Sequence, residues 1–212
     1  LLKKQYHGIP YFMLGHSMGS FLVRQYITTY GKGIDGVIIV GTGQQPFALV
    51  KMGLLLTKLI AHFKGYKYRS KFVNHLSIGS YNTHFKPNRT GVDWLSRDEK
   101  VVDTYIKDKR IDFIFTLNAY SNMFTGMLEL YDSKKLNKIP KQLPVLFLSG
   151  RRDPVGNFGK DIKKLFKQFK ALGMVDVSYE LYKDDRHEIL NELDREIVYN
   201  DIIKWVKDRK EK

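Results

Sequence analysis

The stretch Tyr11-Phe-Met-Leu-Gly-His-Ser-Met-Gly-Ser20 joins a buried-strand pattern directly to a reactive-serine pattern. Tyr11 to Leu14 is an apolar run of strand length. After Gly19, residues Phe21, Leu22, Gln25, Tyr26 and Thr29 recur at helical spacing until Gly31 stops them. Between the two lies Gly15-His16-Ser17-Met18-Gly19, a G-x-S-x-G pattern. A turn this tight has no room for flanking side chains, so Gly15 and Gly19 are expected to let helix and strand approach. Ser17 is then forced into a strained conformation with its hydroxyl exposed. The helix N-terminus beneath it aims the backbone N–H of Met18 at the place where an oxyanion would form. Without context the pattern would more often be a Gly-rich turn. The strand before it, the helix after it and the partners downstream favour a nucleophile.

Working outward, Gly36-Val-Ile-Ile-Val40 reads as a second buried strand, ending in Gly41-Thr-Gly43. From Gln45 to about Ile139 helical periodicity replaces strand runs. One helix is expected over Phe47 to Phe63, burying Leu49, Met52, Leu55, Leu56, Leu59 and Ile60. A capping box at Ser96-Arg-Asp-Glu99 should start another, through Val101, Val102, Tyr105 and Ile106. A third runs from Phe113 to about Leu130, and Gly79 to Gly91 is loop-like. Strand character returns at Leu143 to Gly150, followed by a helix over Asp161 to Leu172 that Gly173 ends. A last strand falls within Val175 to Tyr182, and a closing helix over Glu196 to Lys207 buries Ile197, Ile202, Ile203 and Val206. Strands alternating with helices argue an α/β protein with a parallel sheet flanked by helices. The organisation is a core over 1–44, an inserted helical cap over 45–138 and the rest of the core over 139–212.

Reactive groups in such sheets sit beyond the carboxyl ends of the strands. Ser17 follows the first strand, Asp153 follows the Leu143 to Ser149 strand, and His187 lies in the loop after the last. In this arrangement His187 is the general base toward Ser17 and then the acid to the leaving group. Asp153 fixes its tautomer and stabilises the imidazolium. Singly, Asp153 before Pro154 is a turn residue, and His187 beside Asp185 and Glu188 is a surface histidine. Their joint placement favours the triad.

Composition bounds the rest. The 212 residues are 43% hydrophobic and 13% aromatic, enough for a packed core. There is no cysteine, hence no disulfide or thiolate chemistry. The apolar patch around Phe47 to Ile60 is broken by Lys51 and Lys58, which makes it a poor membrane span. The formal charge of +14 is spread over lysines in many segments without a nucleic-acid motif, so nucleic acid is not expected as a partner. Basic and aromatic residues alternate in Phe63-Lys-Gly-Tyr-Lys-Tyr-Arg69, which leaves an anionic membrane surface open. His62, His75 and His84 lack ligand spacing, so no metal or other cofactor is expected. Location defaults to the cytoplasm.

Leu14-Gly-His-Ser-Met-Gly-Ser20, Gly150-Arg-Arg-Asp-Pro-Val-Gly156 and Tyr182-Lys-Asp-Asp-Arg-His-Glu-Ile-Leu-Asn-Glu192 resemble three signature segments of the α/β-hydrolase superfamily. Within it they are most similar to the lysophospholipase and monoacylglycerol lipase-like group, often described as serine aminopeptidase-type hydrolases. The stretch Val92-Asp-Trp-Leu-Ser-Arg-Asp98 resembles that group's cap. The resemblance implies an ester hydrolase acting on monoacylglycerol or lysophospholipid, with a partial parallel sheet. Relatives have strands before the nucleophile and a loop there that gives a second oxyanion N–H. His7-Gly8 reads instead as a turn, so this chain is expected to match the carboxyl-terminal two-thirds of such an enzyme. An exposed sheet edge and the lack of an oxyanion donor worth about a hundred- to a thousandfold are expected.

Within the cap, Phe113, Phe115, Tyr120, Met123, Phe124 and Met127 read first as cap core. Phe124 and Met127 are the candidates for lining an acyl slot. His16, beside the nucleophile, reads as a packing and hydrogen-bonding residue that could also touch substrate. Two other functions stay open. An aminopeptidase or amidase would need a carboxylate such as Asp93 or Glu129 to hold a substrate ammonium, and a hydrolase-fold chain could also act only in binding.

Overall fold

The computed structural model describes residues 2–111 and 113–210. Four strands, β1 (Phe12–His16), β2 (Gly36–Val40), β3 (Val145–Gly150) and β4 (Val177–Tyr182), pair in parallel in that spatial order. A short helix α1 (Leu2–Gln5) precedes the sheet. The helix α2 (Met18–Tyr30) joins β1 to β2, α8 (Lys160–Ala171) joins β3 to β4, and α9 (Arg195–Lys210) closes the chain. Between β2 and β3 stand the remaining helices: α3 (Phe47–Lys64), α4 (Lys71–Asn74), α5 (Glu99–Lys107), α6 (Leu117–Glu129) and α7 (Ser133–Leu136).

The central strands are apolar throughout because both faces of the sheet are covered. On one face Val37, Ile39, Val145 and Phe147 meet Val23 and Ile27 of α2 and Ile162, Leu165 and Phe169 of α8. On the other Ile38, Val40, Leu146 and Leu148 meet Val198 and Trp205 of α9. The period-two alternation of side chains along a strand produces this division.

Several helices turn a different face inward from the expected one. In α3 the buried residues are Val50, Thr57 and Ala61, whereas Leu49, Met52, Leu55 and Leu59 are exposed and Leu56 and Ile60 half-buried. The small side wins because α6 brings aromatic rings against it. A methyl group on Gly53 would lie 3.3 Å from the Phe124 ring. In α2 the inward residues are Ser20, Val23, Arg24, Ile27 and Thr28, while Leu22 and Tyr26 face out. In α9 Ile197 and Ile203 are exposed. The helix α5 is capped by Asp98, whose carboxylate accepts from Lys100 N–H, and not by Ser96. The helix α6 starts at Leu117, four residues after the expected Phe113, because the Thr116 hydroxyl caps it.

Ser17 sits where β1 meets α2, with φ 53° and ψ −119°, in backbone space that L-residues rarely occupy. Gly15 makes this approach possible. A methyl group there would collide with the Gly19 carbonyl and lie 2.6 Å from Val23 Cγ2. Gly19 differs from its expected role, since a methyl there meets nothing within 4 Å. The two glycines should therefore respond oppositely to alanine. Gly15→Ala is expected to lower stability in urea denaturation by about 1–3 kcal/mol. Gly19→Ala should be neutral or stabilise by up to about 1 kcal/mol through helix propensity. Equal losses would sink this account of the turn.

Candidate active site

Each candidate side chain arrives from the carboxyl end of a different strand. β1 delivers Ser17, the loop after β3 delivers Asp153, and the loop after β4 delivers His187. The structure brings all three together. The Ser17 Oγ lies 2.8 Å from His187 Nε2, and His187 Nδ1 lies 2.9 Å from Asp153 Oδ2. The other Asp153 oxygen accepts from Val155 N–H at 2.9 Å, so the carboxylate is fully buried yet satisfied. His187 is 1% exposed. Burial alone would depress its pKa, but the charge of Asp153, their hydrogen bond and Glu188 together raise it above the usual imidazole value. The N–H of Met18, the first of α2, has no hydrogen-bond partner among the described residues, as a helix N-terminus allows. His7 and Gly8 lie in a turn at the opposite end of β1.

His16 packs its ring 4.8 Å from that of His187 and places Nε2 3.2 Å from the His187 carbonyl oxygen. Burial, then the neighbouring His187, lower its pKa despite Glu188 at 3.9 Å from Nδ1. A neutral ring donating to that carbonyl accounts for both facts. Phe124 is half-buried. It stacks on Tyr120 at 6.1 Å and fills the space beside Gly53 within the cap core. Met127 is half-buried on the same helix.

Sequence reasoning missed the residues that hold the histidine loop. Trp94 lays its ring 5.0 Å from that of His187, with Tyr81 edge-on behind it. Arg97 donates to Asp185 at 2.5 Å, to Asp194 at 2.6 Å and to Glu192 at 3.2 Å. Arg186 donates to the carbonyls of Asp93 and Ser96, and Glu188 N–H to Leu95 O at 2.7 Å. The stretch 93–97 of the cap is thus bound to the loop carrying His187. Its only sequence signal is the resemblance of Val92 to Asp98 to a cap segment. Asp185, Glu192 and Asp194 converge closely enough to suggest a cation site, but the Arg97 guanidinium already supplies the positive charge between them.

Desolvation, and then the neighbouring carboxyls of Asp194 and Glu192, push the Asp185 pKa up to about 7 against the pull of Arg97. The folded state therefore holds this proton more tightly than the unfolded chain. The associated stability is present at low pH and lost as pH rises through about 7. Asp185→Asn is expected to flatten the fall in urea midpoint between about pH 4 and 7, and a native midpoint already flat over that range would contradict the assignment. Arg97→Met, which strands buried carboxylates without a counter-charge, should cost about 3–5 kcal/mol in the same measurement.

Residues 1–194 match the model of the family described as serine aminopeptidase, S33. Comparison by sequence with curated proteins gives no match. Among solved structures, a highly thermostable carboxyl esterase from Bacillus coagulans, in complex with glycerol, aligns at a TM-score of 0.88 and 26% identity. The alignment covers 98% of this chain and 67% of that one. A lipase in its open form aligns at 0.83 and 23% identity, over 100% and 69% of the two chains. A soluble variant of monoglyceride lipase from Saccharomyces cerevisiae, in complex with a substrate analog, aligns at 0.74 and 22%, over 99% and 65%. This chain spans about two thirds of the length of these proteins. With a family match over most of its length and the fold of these enzymes, the chain belongs to the serine aminopeptidase S33 family of the α/β-hydrolase superfamily.

Proposed function

We propose that this chain is a serine hydrolase cleaving carboxylic esters, with monoacylglycerol or lysophospholipid as substrate, through an acyl-Ser17 intermediate. The observation that carries the reading is the continuous line of hydrogen bonds from Ser17 Oγ through His187 to Asp153. His187 takes the Ser17 proton as the hydroxyl attacks the ester carbonyl. The oxyanion that forms is stabilised by Met18 N–H, and His187 then passes the proton to the leaving alcohol. Water activated by the same imidazole releases the acid. Asp153 keeps Nδ1 protonated, so that Nε2 is the basic nitrogen.

The family's description includes peptidases, yet the acids expected to hold a substrate ammonium are occupied. Asp93 accepts from Arg89 N–H, Thr90 N–H and the Thr90 hydroxyl. Glu129 pairs with Gln25 and Lys135. Glu188, next to His187, accepts from Asn191 at 2.9 Å and has its other oxygen 3.9 Å from His16 Nδ1. Esters, which need no ammonium anchor, are therefore favoured over aminoacyl amides. The names of the esterase and monoglyceride lipase whose folds match support the same substrate class.

A fluorophosphonate probe should add one adduct to the chain, located on Ser17 by intact mass and peptide mapping and absent from Ser17→Ala. A folded chain that does not label would count against the reading. Turnover of an aryl butyrate should exceed that of an amino-acid arylamide, and the reverse would make the peptidase reading correct. His187 must be neutral to accept the proton, so kcat/KM should fall as pH drops through its raised pKa. Asp153→Asn removes the charge that raises it. The variant should lose activity about ten-thousandfold, and its acid limb should shift to lower pH. An unshifted limb would mean that Asp153 does not set that pKa.

A further inference from the structure

The helix α3 carries its largest side chains outward. At about 3.6 residues per turn, Met52, Leu55, Leu59 and Phe63 form one stripe, and they are 60%, 60%, 57% and 75% exposed. Tyr66, Tyr68, Phe72, Leu76 and Ile78, which follow in the chain, are exposed as well. An apolar surface this extended, left open on the cap, marks an interaction site and not a random scatter.

The charge around it is one-signed. From Gly36 to Val92 the chain has no Asp or Glu, while it has eight Lys and Arg. Lys51 and Lys58 flank the stripe on α3, and Lys64, Lys67 and Lys71 continue along the same segment. All five are exposed, and none forms an ion pair with a described residue. Of the eight, Arg89 pairs with Asp103, and beyond Val92 acids accompany the bases.

We propose that this face of the cap docks on an anionic phospholipid surface, with the α3 stripe in the acyl boundary and the lysines on lipid phosphates. The chemistry selects this occupant. An exposed stripe of flexible leucine, methionine and phenylalanine side chains on one helix suits a deformable lipid layer, and basic residues beside it add attraction to anionic headgroups. A second copy of this chain would bring two uncompensated lysine clusters together. No helix among the described residues is long and apolar enough to cross a membrane, so the mode is lying on the surface.

The test is vesicle co-sedimentation of the Ser17→Ala chain, whose binding does not depend on turnover, so its failure and the failure of the hydrolase reading are separable. Vesicles of phosphatidylcholine alone are compared with vesicles one third phosphatidylglycerol. Binding should be confined to the anionic vesicles and weaken in high salt. Lys51→Gln, Lys58→Gln and Lys64→Gln together should lower partitioning on the order of a hundredfold. Leu55→Ser, Leu59→Ser and Phe63→Ser together should abolish it, with helical content by circular dichroism unchanged. Equal binding to both vesicle types, or binding to neither, would overturn the proposal. So would a concentration-dependent dimer in light scattering that the serine variant loses, since the occupant would then be a second copy.

Discussion

The His187 imidazole is where the loops after all four strands close, and the rest of the site follows from keeping it buried. Parallel strands in a shared sheet present their carboxyl ends at one edge, so β1 offers Ser17 and His16, β2 offers Gly41, β3 offers Asp153 and β4 offers the ring itself. Removing an imidazole from water weakens its hold on a proton. Asp153 reverses this only because it is equally buried and its second oxygen is already bonded to Val155 N–H. Close packing is the structural consequence. Gly41 has φ +59°, and a methyl on it would stand 3.0 Å from His187 Cε1 and 3.2 Å from His16 Nε2. No side chain fits there while both rings keep their places.

The cap is held to this arrangement unequally. At residues 93–97 it is bound by backbone hydrogen bonds, by Arg97 on three carboxylates and by Trp94 against the histidine ring. At α6 it rests on α2 through Gln25, which donates to the Gly126 carbonyl and to Glu129. A displacement of the cap at the first contact would carry His187 with it, and at the second Gln25 adds two hydrogen bonds between α2 and α6. Net hydrogen bonds of that kind contribute about 1 kcal/mol each.

The strands and the triad are legible in the sequence because their signals are local. Apolar runs such as Val37 to Val40 mark buried parallel strands, and the rule that reactive groups follow strand ends then orders Ser17, Asp153 and His187. Helix faces were less legible where hydrophobicity and packing disagree. The periodicity of α3 points to leucines, but Gly53 and Ala61 face the aromatic rings of the partner helix, and the buried side is the one with Val50, Thr57 and Ala61. In α2 the fully buried Arg24 satisfies Thr42, the Gly43 carbonyl and Gln44 in the loop after β2. That need arises from tertiary contact, and no pattern of apolar residues announces it. Arg97 and its acid partners fail for the same reason, since about ninety residues separate them.

Where the acids sit decides which bases are left unpaired. Asp153 is spent inside the triad, Asp185, Glu192 and Asp194 face Arg97, and Asp161 accepts from the Gln44 backbone. Acids placed in this way serve the site's own cations and donors, and none of them reaches the lysines of α3. Uncompensated charge destabilises a compact state through self-repulsion. On α3, however, Lys51, Lys58 and Lys64 are exposed and six or seven residues apart, about 9–10 Å along the helix, where screening over roughly 8 Å at physiological salt limits their repulsion. The small-residue contact with α6 holds the helix without any ionic help. The helix α3 can therefore carry exposed lysines and apolar side chains on its outer side, while the acids near His187 are paired with Arg97.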